Sequence, residues 1–236
     1  MTEPLLEVRD LNAWYGGSHV LQSADLSIAP GESVALLGRN GAGKSTLMKS
    51  LLDAGPRVAG SVRFGGRDMA ALATEARARQ GLILVPEDRR IFTDITVEEN
   101  IGLGRHATGG RTPMPLERIW QLFPLLEPLR ARQGYQLSGG QQQLVAVARG
   151  AIAAPRLLVL DEPVEGLAPV VVQEMARDIG RLRETGMSML ISEQNLSFAR
   201  ACTDRLYLID SGRIVFSGTW PEFDADPALK EKYLAV

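Results

Sequence analysis

Cysteine is almost missing: Cys202 is the single one in 236 residues, so the chain has no disulfide framework and no cysteine cluster for zinc. A reducing compartment fits such a chain. An excess of charge is missing as well, with 26 basic against 28 acidic residues and a net charge of −2. The overall electrostatics therefore give no case for a nucleic-acid partner. Long hydrophobic runs are absent too. The longest apolar region, around 144 to 160, is broken by Arg149, Pro155 and Arg156, well short of the roughly 20 apolar residues a membrane-spanning helix needs. The start, MTEPLLEVRD, carries acids and lacks the basic opening and apolar stretch of a secretory signal. Any membrane association is expected to run through a partner. Internal repeats and low-complexity tracts are also lacking.

What is present is an ordinary globular composition, 45% hydrophobic and 23% charged, which argues against disorder and against a coiled coil. The length fits one large domain, or a core with an inserted subdomain. The first thirty residues read as short strands, with turns at YGG (15 to 17) and PG (30 to 31). SVALLG, 33 to 38, is a short apolar run closed by glycine, typical of a buried strand, and a helix is expected to start near Lys44. Two more strands are expected over 60 to 66 and 82 to 86. From about 88 to 153 charged and helical patterns dominate, around a loose RHATGGRTPMP linker. This predicts an inserted helical subdomain. Strand and helix patterns then alternate again through RLLVLD, PVVVQEMARDIGRLRE, SMLIS, NLSFARACT, RLYLID and RIVFSG. The order predicts an α/β fold with a mainly parallel sheet covered by helices on both faces. Its nucleotide-binding core is expected over about 1–87 and 154–236, all within a single domain.

GRNGAGKS, 38 to 45, matches G-x-x-x-x-G-K-[ST] in full, between an expected strand and an expected helix. Gly41 and Gly43 let such a loop turn several backbone N–H groups inward around a phosphate. Lys44 would reach the β and γ phosphates, and Ser45 would ligate Mg²⁺. The whole run Gly38, Arg39, Asn40, Gly41, Ala42, Gly43, Lys44, Ser45 and Thr46 is the candidate ATP-binding loop. LLVLDE, 157 to 162, supplies the acids. Asp161 emerges at the carboxyl end of a buried strand, where open α/β sheets bind ligands, and would hold the metal through water. Glu162 follows where it would orient and deprotonate an attacking water. Alone it would read as a solvated surface acid; its company makes it the candidate base.

A second helix start stands out in YQLSGGQQQLVAVAR, 135 to 149. Free N–H groups, a serine hydroxyl and the positive end of the helix dipole suit an anion. An ordinary amphipathic helix accounts for Leu144, Val147, Ala148 and Ala151, but not for the serine and the two glycines before them. LSGGQ between a phosphate loop and LLVLDEP resembles the signature of ATP-binding cassette (ABC) proteins, and the resemblance covers essentially the whole chain. It implies a P-loop NTPase core with an N-terminal antiparallel β subdomain and a helical signature subdomain. It also implies that two cassettes pack head to tail, so that Ser138, Gly139, Gly140 and Gln141 face the ATP of a second ABC ATPase subunit.

Other positions follow from the resemblance. Tyr15 stands where the family stacks an aromatic ring on adenine. Glu87 occupies the place of a glutamine that contacts Mg²⁺ and senses the membrane partner, a departure that keeps a possible metal ligand. Gln194 replaces a histidine that contacts the γ-phosphate; glutamine donates a hydrogen bond but carries no proton, which leaves Glu162 as the base. Glu165, Gly166, Leu167 and Ala168 replace the frequent S-A-L-D.

YGGSHVL, LGRNGAGKST, TVEEN, LFPLL, EGLAP and SEQN together resemble the ATPase subunits of branched-chain amino-acid, urea and short-chain-amide importers. The resemblance implies transmembrane permease subunits, an indirect extracellular or periplasmic solute-binding protein, and a peripheral place on the cytoplasmic face of the inner (plasma) membrane. A different class, a regulatory module that dimerises on ATP with residual hydrolysis, is the alternative, motivated by Glu87, Ala168 and Gln194.

Overall fold

The computed structural model describes residues 3–233; Met1, Thr2 and the last three residues lie outside it. Where short strands are expected at the start, two long ones form: β1 (Leu6–Tyr15) and β2 (Ser18–Ile28) pair antiparallel around the tight turn at Gly16 and Gly17. Register shifts along the pair let it bend. β3 (Ser33–Leu37) leads through the glycine-rich loop into α1 (Lys44–Leu51). β4 (Arg57–Phe64) returns to pair with β1, and β5 (Arg67–Asp68) completes an antiparallel sheet of order β2-β1-β4-β5.

Next come α2 (Thr74–Arg79), β6 (Leu82–Val85), and three helices separated by loops: α3 (Val97–Gly102), α4 (Leu116–Leu122) and α5 (Gly139–Ile152). The chain then alternates β7 (Leu157–Asp161), α6 (Pro169–Glu184), β8 (Ser188–Glu193), α7 (Leu196–Cys202) and β9 (Arg205–Asp210). β10 (Arg213–Thr219), α8 (Trp220–Asp224) and α9 (Pro227–Tyr233) close the described residues. The second sheet has the order β10-β9-β3-β8-β7-β6. All its pairs are parallel except the edge pair β10 with β9, a hairpin turned at Ser211 and Gly212.

Alternating side chains on the central strands enter different cores. Leu157 and Val159 join one cluster with Leu47, Met48 and Leu51 of α1 and the inner face of the antiparallel sheet. Leu158 and Leu160 join another with Val145, Ala148 and Ile152 of α5 and Met175 and Ile179 of α6. Burial on both faces is why these strands read as unbroken apolar runs. The same packing ties α5 into the sheet: a Cβ on Gly150 would come within 2.8 Å of Val85 and 3.0 Å of Leu158. The helical segment thus rests on the sheet through its last helix.

The site owes its geometry to strand order. β8 lies between β3 and β7, with Leu37 opposite Glu193 and Asp161 opposite Ser192. The ends of three neighbouring strands therefore converge on one edge.

Candidate functional site

The loop after β3 folds tightly because its glycines can adopt what other residues resist. Gly43 takes φ +110° as it enters α1, and a Cβ on Gly38 would come 2.5 Å from the carbonyl oxygen of Ile209. The result is a cavity of about 460 Å³ lined by Val20, Asn40, Gly41, Gly43, Lys44, Ser45, Thr46, Glu87, Glu162 and Glu165. Ala42 is buried behind it, and Arg39 is exposed.

Inside the cavity Lys44 is fully engaged. Its Nζ donates to the carbonyl oxygens of Gly38 (2.7 Å) and Arg39 (3.1 Å) and pairs with Glu162 Oε1 at 2.9 Å. An ammonium has three protons to give, so any further acceptor must displace at least one of these partners. Lys44 and Glu162 are 3% and 7% exposed, which makes this a buried ion pair. Glu162 Oε2 accepts from Gln194 Nε2 at 3.2 Å, and the same nitrogen donates to Asn40 Oδ1 at 2.6 Å. Gln194 thus bridges the loop and the candidate base. Burial opposes the charge of Glu162, but hydrogen bonds from Glu165, Lys44 and Gln194 outweigh it and hold the carboxyl below its usual range. The Glu162 backbone sits at φ +45°, a left-handed conformation that costs a non-glycine residue about 1–2 kcal/mol. Its amide donates to Ser192 Oγ at 3.0 Å, which holds it there.

Asp161 Oδ1 accepts from Ser192 Oγ at 2.7 Å and from Ser45 Oγ at 3.1 Å. Burial pushes the Asp161 carboxyl up, against the pull of both hydroxyls. Ser45 and Asp161 together offer oxygen donors only, the chemistry magnesium prefers, and Mg²⁺ usually completes its shell with phosphates and water. Acids alone build no cage: among the described residues no cluster of three or more His, Cys, Asp or Glu is placed to hold a metal. Glu87 lines the cavity from the loop after β6 and is exposed. Tyr15 ends β1 outside the cavity lining, its side chain 43% exposed, next to Gly55.

Ser138, Gly139, Gly140 and Gln141 do not line this cavity. Ser138 caps α5 through a reciprocal box: its Oγ accepts from the Gln141 amide at 3.4 Å, and Gln141 Oε1 accepts from the Ser138 amide at 2.9 Å. A Cβ on Gly140 would meet Val171 Cγ1 of α6 at 2.5 Å. Ser138 and Gly140 therefore each have a structural reason, contrary to the expectation that an ordinary helix leaves them unexplained. The capping box is legible in S-x-x-Q; the approach of Val171, far along the chain, is not. The guanidinium of Arg89 lies beside Gly139, and Arg149 Nη2 donates to the Arg89 carbonyl at 3.0 Å. The loop carrying Glu87 is thereby tied to α5.

Sequence reasoning missed Val20, Ser192 and the place of Glu165 in the cavity. Ser192 left one trace, a polar residue ending the buried run SMLIS; Val20 left none.

Comparison with known proteins places this geometry. The family model described as ABC transporter matches residues 21–165. The high-affinity branched-chain amino acid transport ATP-binding protein BraG of Pseudomonas aeruginosa is 34% identical over 98% of this chain and 99% of its own. The lipopolysaccharide export system ATP-binding protein LptB of Escherichia coli is 32% identical over 97% of this chain and 96% of its own. Among solved structures, the ADP conformation of an ATP-binding cassette of an ABC transporter superposes with a TM-score of 0.79 at 26% identity, covering 98% of each chain. The chain belongs to the ABC transporter family. It binds ATP and is an ATPase, the energy-converting part of a transporter.

Proposed function

We propose that this cassette hydrolyses ATP at a composite site, its own cavity closed by the signature helix of a second cassette, and that the cycle drives a membrane importer. The observation that carries the reading is the division of labour in one chain. Lys44, Ser45, Asp161 and Glu162 gather at one cavity, while Ser138 to Gln141 form a capped helix start elsewhere, with Ser138 exposed and Gly140 buried. A helix N-terminus favours an anion by about 0.3–1 kcal/mol when exposed and up to about 2 kcal/mol when partly buried. Two such ends, one on each nucleotide, make the dimer sensitive to the γ-phosphate.

Glu162 is the base: it takes a proton from the attacking water as the water oxygen bonds to the γ-phosphorus and the bond to the bridging oxygen breaks. Lys44 leaves Glu162 for the phosphates, Gln194 stays hydrogen-bonded to it, and Ser45 with Asp161 would hold Mg²⁺, which would neutralise phosphate charge. Tyr15 offers its exposed ring to adenine, and Glu87 stands between the cavity and the helical segment over about 88–153. An apolar groove of about 320 Å³, with Val85, Phe92, Leu103 and Ala146 among its lining, suits a cytoplasmic helix of a permease.

No helix among the described residues is long and apolar enough to cross a membrane, which suits a peripheral subunit at the cytoplasmic face. The likeness to BraG supports uptake of branched-chain amino acids, and the motifs YGGSHVL and EGLAP support urea or short amides, with a solute-binding protein delivering the solute to the permease. The likeness to LptB supports an export reading as the rival.

The test uses Glu162→Gln. This variant is expected to bind Mg·ATP and form a dimer, measured by light scattering, while hydrolysis falls about 10²- to 10⁴-fold. A persistent monomer, even beside its natural companion subunit, would end the composite site, and wild-type turnover would end the role of Glu162. Solute uptake by cells lacking the gene separates import from export.

A further inference from the structure

Glu193 ends β8 as a buried carboxyl that none of the steps above uses. Its two oxygens serve two different stretches of backbone. Oε2 accepts from the amides of Gln194 and Asn195, both at 3.1 Å. Oε1 accepts from the amide of Val164 at 3.4 Å, two residues beyond Glu162 in the turn that leaves β7. An amide sheltered from water is costly to leave without an acceptor, so these bonds fix the backbone that donates them.

The placement matters because of what the two stretches carry. Gln194 is itself exposed, and its side chain reaches across to Asn40 Oδ1 and Glu162 Oε2. An exposed side chain keeps such a reach only as well as its backbone is held. At the other end of this bond, Glu162 opens the turn whose Val164 amide Glu193 holds, in a left-handed backbone conformation. One buried carboxyl thus fixes both backbones that the Gln194 to Glu162 hydrogen bond joins. Ser192, the residue before it, serves Asp161 and the Glu162 amide instead, so the duties of the two do not overlap.

We infer that Glu193 is a positioning residue for hydrolysis: it holds Gln194 where its side chain donates to Glu162, and so orients the base once Lys44 has turned to the phosphates. The inference rests on the reading of Glu162 as the base. It requires acceptor oxygens at position 193 and makes no use of their charge.

The experiment measures steady-state hydrolysis, KM for ATP and thermal midpoint in Glu193→Met and Glu193→Gln, each with and without Gln194→Ala. Methionine fills similar space with only a weak sulfur acceptor. It is expected to lower kcat about 10- to 100-fold while KM changes less than about twofold. Glutamine keeps one carbonyl oxygen for the Gln194 and Asn195 amides and is expected to stand only about 3- to 5-fold below wild type. Gln194→Ala separates positioning from structure. If Glu193 acts through Gln194, its variants lose no further kcat, to within about twofold, once that side chain is gone. A merely structural strand end would lower the midpoint and carry its full loss of kcat into both backgrounds. Should the methionine variant not fold, the same comparison with Glu193→Gln decides. Wild-type kcat in the methionine variant, or in the glutamine variant where that alone folds, would overturn the inference. So would a glutamine variant as impaired as the methionine one, a loss carried by KM, or losses that multiply with Gln194→Ala. Glu162→Gln assayed alongside separates the layers. If it is inactive while the Glu193 variants are normal, only this inference fails; if it turns over normally, the assignment of the base fails first.

Discussion

The two ends of the proposed composite site are built in opposite ways. The cavity is assembled from distant chain segments: Ser45 meets Asp161, Gln194 bridges Asn40 and Glu162, and Ser192 holds both acids. Its Lys44 and Glu162 are buried and compensate each other, while Glu87 and Glu165 on its lining are exposed. The cap of the signature end is local, since Ser138 and Gln141 satisfy each other within one helical turn, and Ser138 is exposed while Gly140 is buried against Val171 of α6. The difference teaches which half carries strain. The cavity must break a bond to accept its ligand, because Lys44 is already saturated; the signature end can accept a phosphate without undoing its cap.

Three measurements sharpen or break this contrast. Lys44→Ala has the largest expected effect. It leaves Glu162 buried without its counter-charge, a change that costs about 3–5 kcal/mol in buried pairs, and it removes a phosphate ligand. Urea unfolding and nucleotide titration should show a destabilised ligand-free protein with weaker ATP binding, and unchanged affinity would refute the assigned cradle. The corresponding change at the other end, Ser138→Ala, removes only a cap.

The second measurement is stability against pH without nucleotide. Glu193 ends β8 beneath the cavity, buried to 3% exposure. Burial pushes its carboxyl up to about 7, although the amides of Asn195, Gln194 and Val164 pull the other way. A folded value above the unfolded one means that the stabilising contribution is complete below about pH 4.5 and is lost as pH rises through about 7. By pH 8 the loss is expected to reach up to about 3 kcal/mol. Glu193→Gln should flatten the profile, and an equally steep profile in that variant would assign the slope elsewhere.

The third and smallest effect is at the signature end. Gly140→Ala drives a methyl group into Val171 and is expected to cost about 1–2 kcal/mol, as overpacking does. Val171→Ala in the same chain should relieve it. If the double variant regains stability and also dimerises on Mg·ATP, Gly140 serves packing alone; if stability returns without the dimer, the glycine serves the nucleotide as well.

Much of this was legible in the sequence because the informative interactions are short in range. The loop from Gly38 to Ser45 advertises itself, since a strand, a tight turn and a helix start impose glycine at fixed spacings. Asp161 could be placed because it follows four apolar residues, whereas the cap at Ser138 went unread although its partner stands three positions on. The contact of Gly140 with a valine on another helix was not legible, because no spacing encodes it. Val20 entered the cavity unannounced because a hairpin of the antiparallel sheet leans over the loop.

The sequence by itself determined the segments and their chemistry, because period, capping and turn geometry act between residues a few positions apart. Only the tertiary structure decided that β8 runs between β3 and β7. That order sets Gln194 between Asn40 and Glu162, and Ser192 beside Asp161. Such neighbours are chosen by strand pairing and the burial of two sheet faces, forces that act on the assembled chain and leave no local mark.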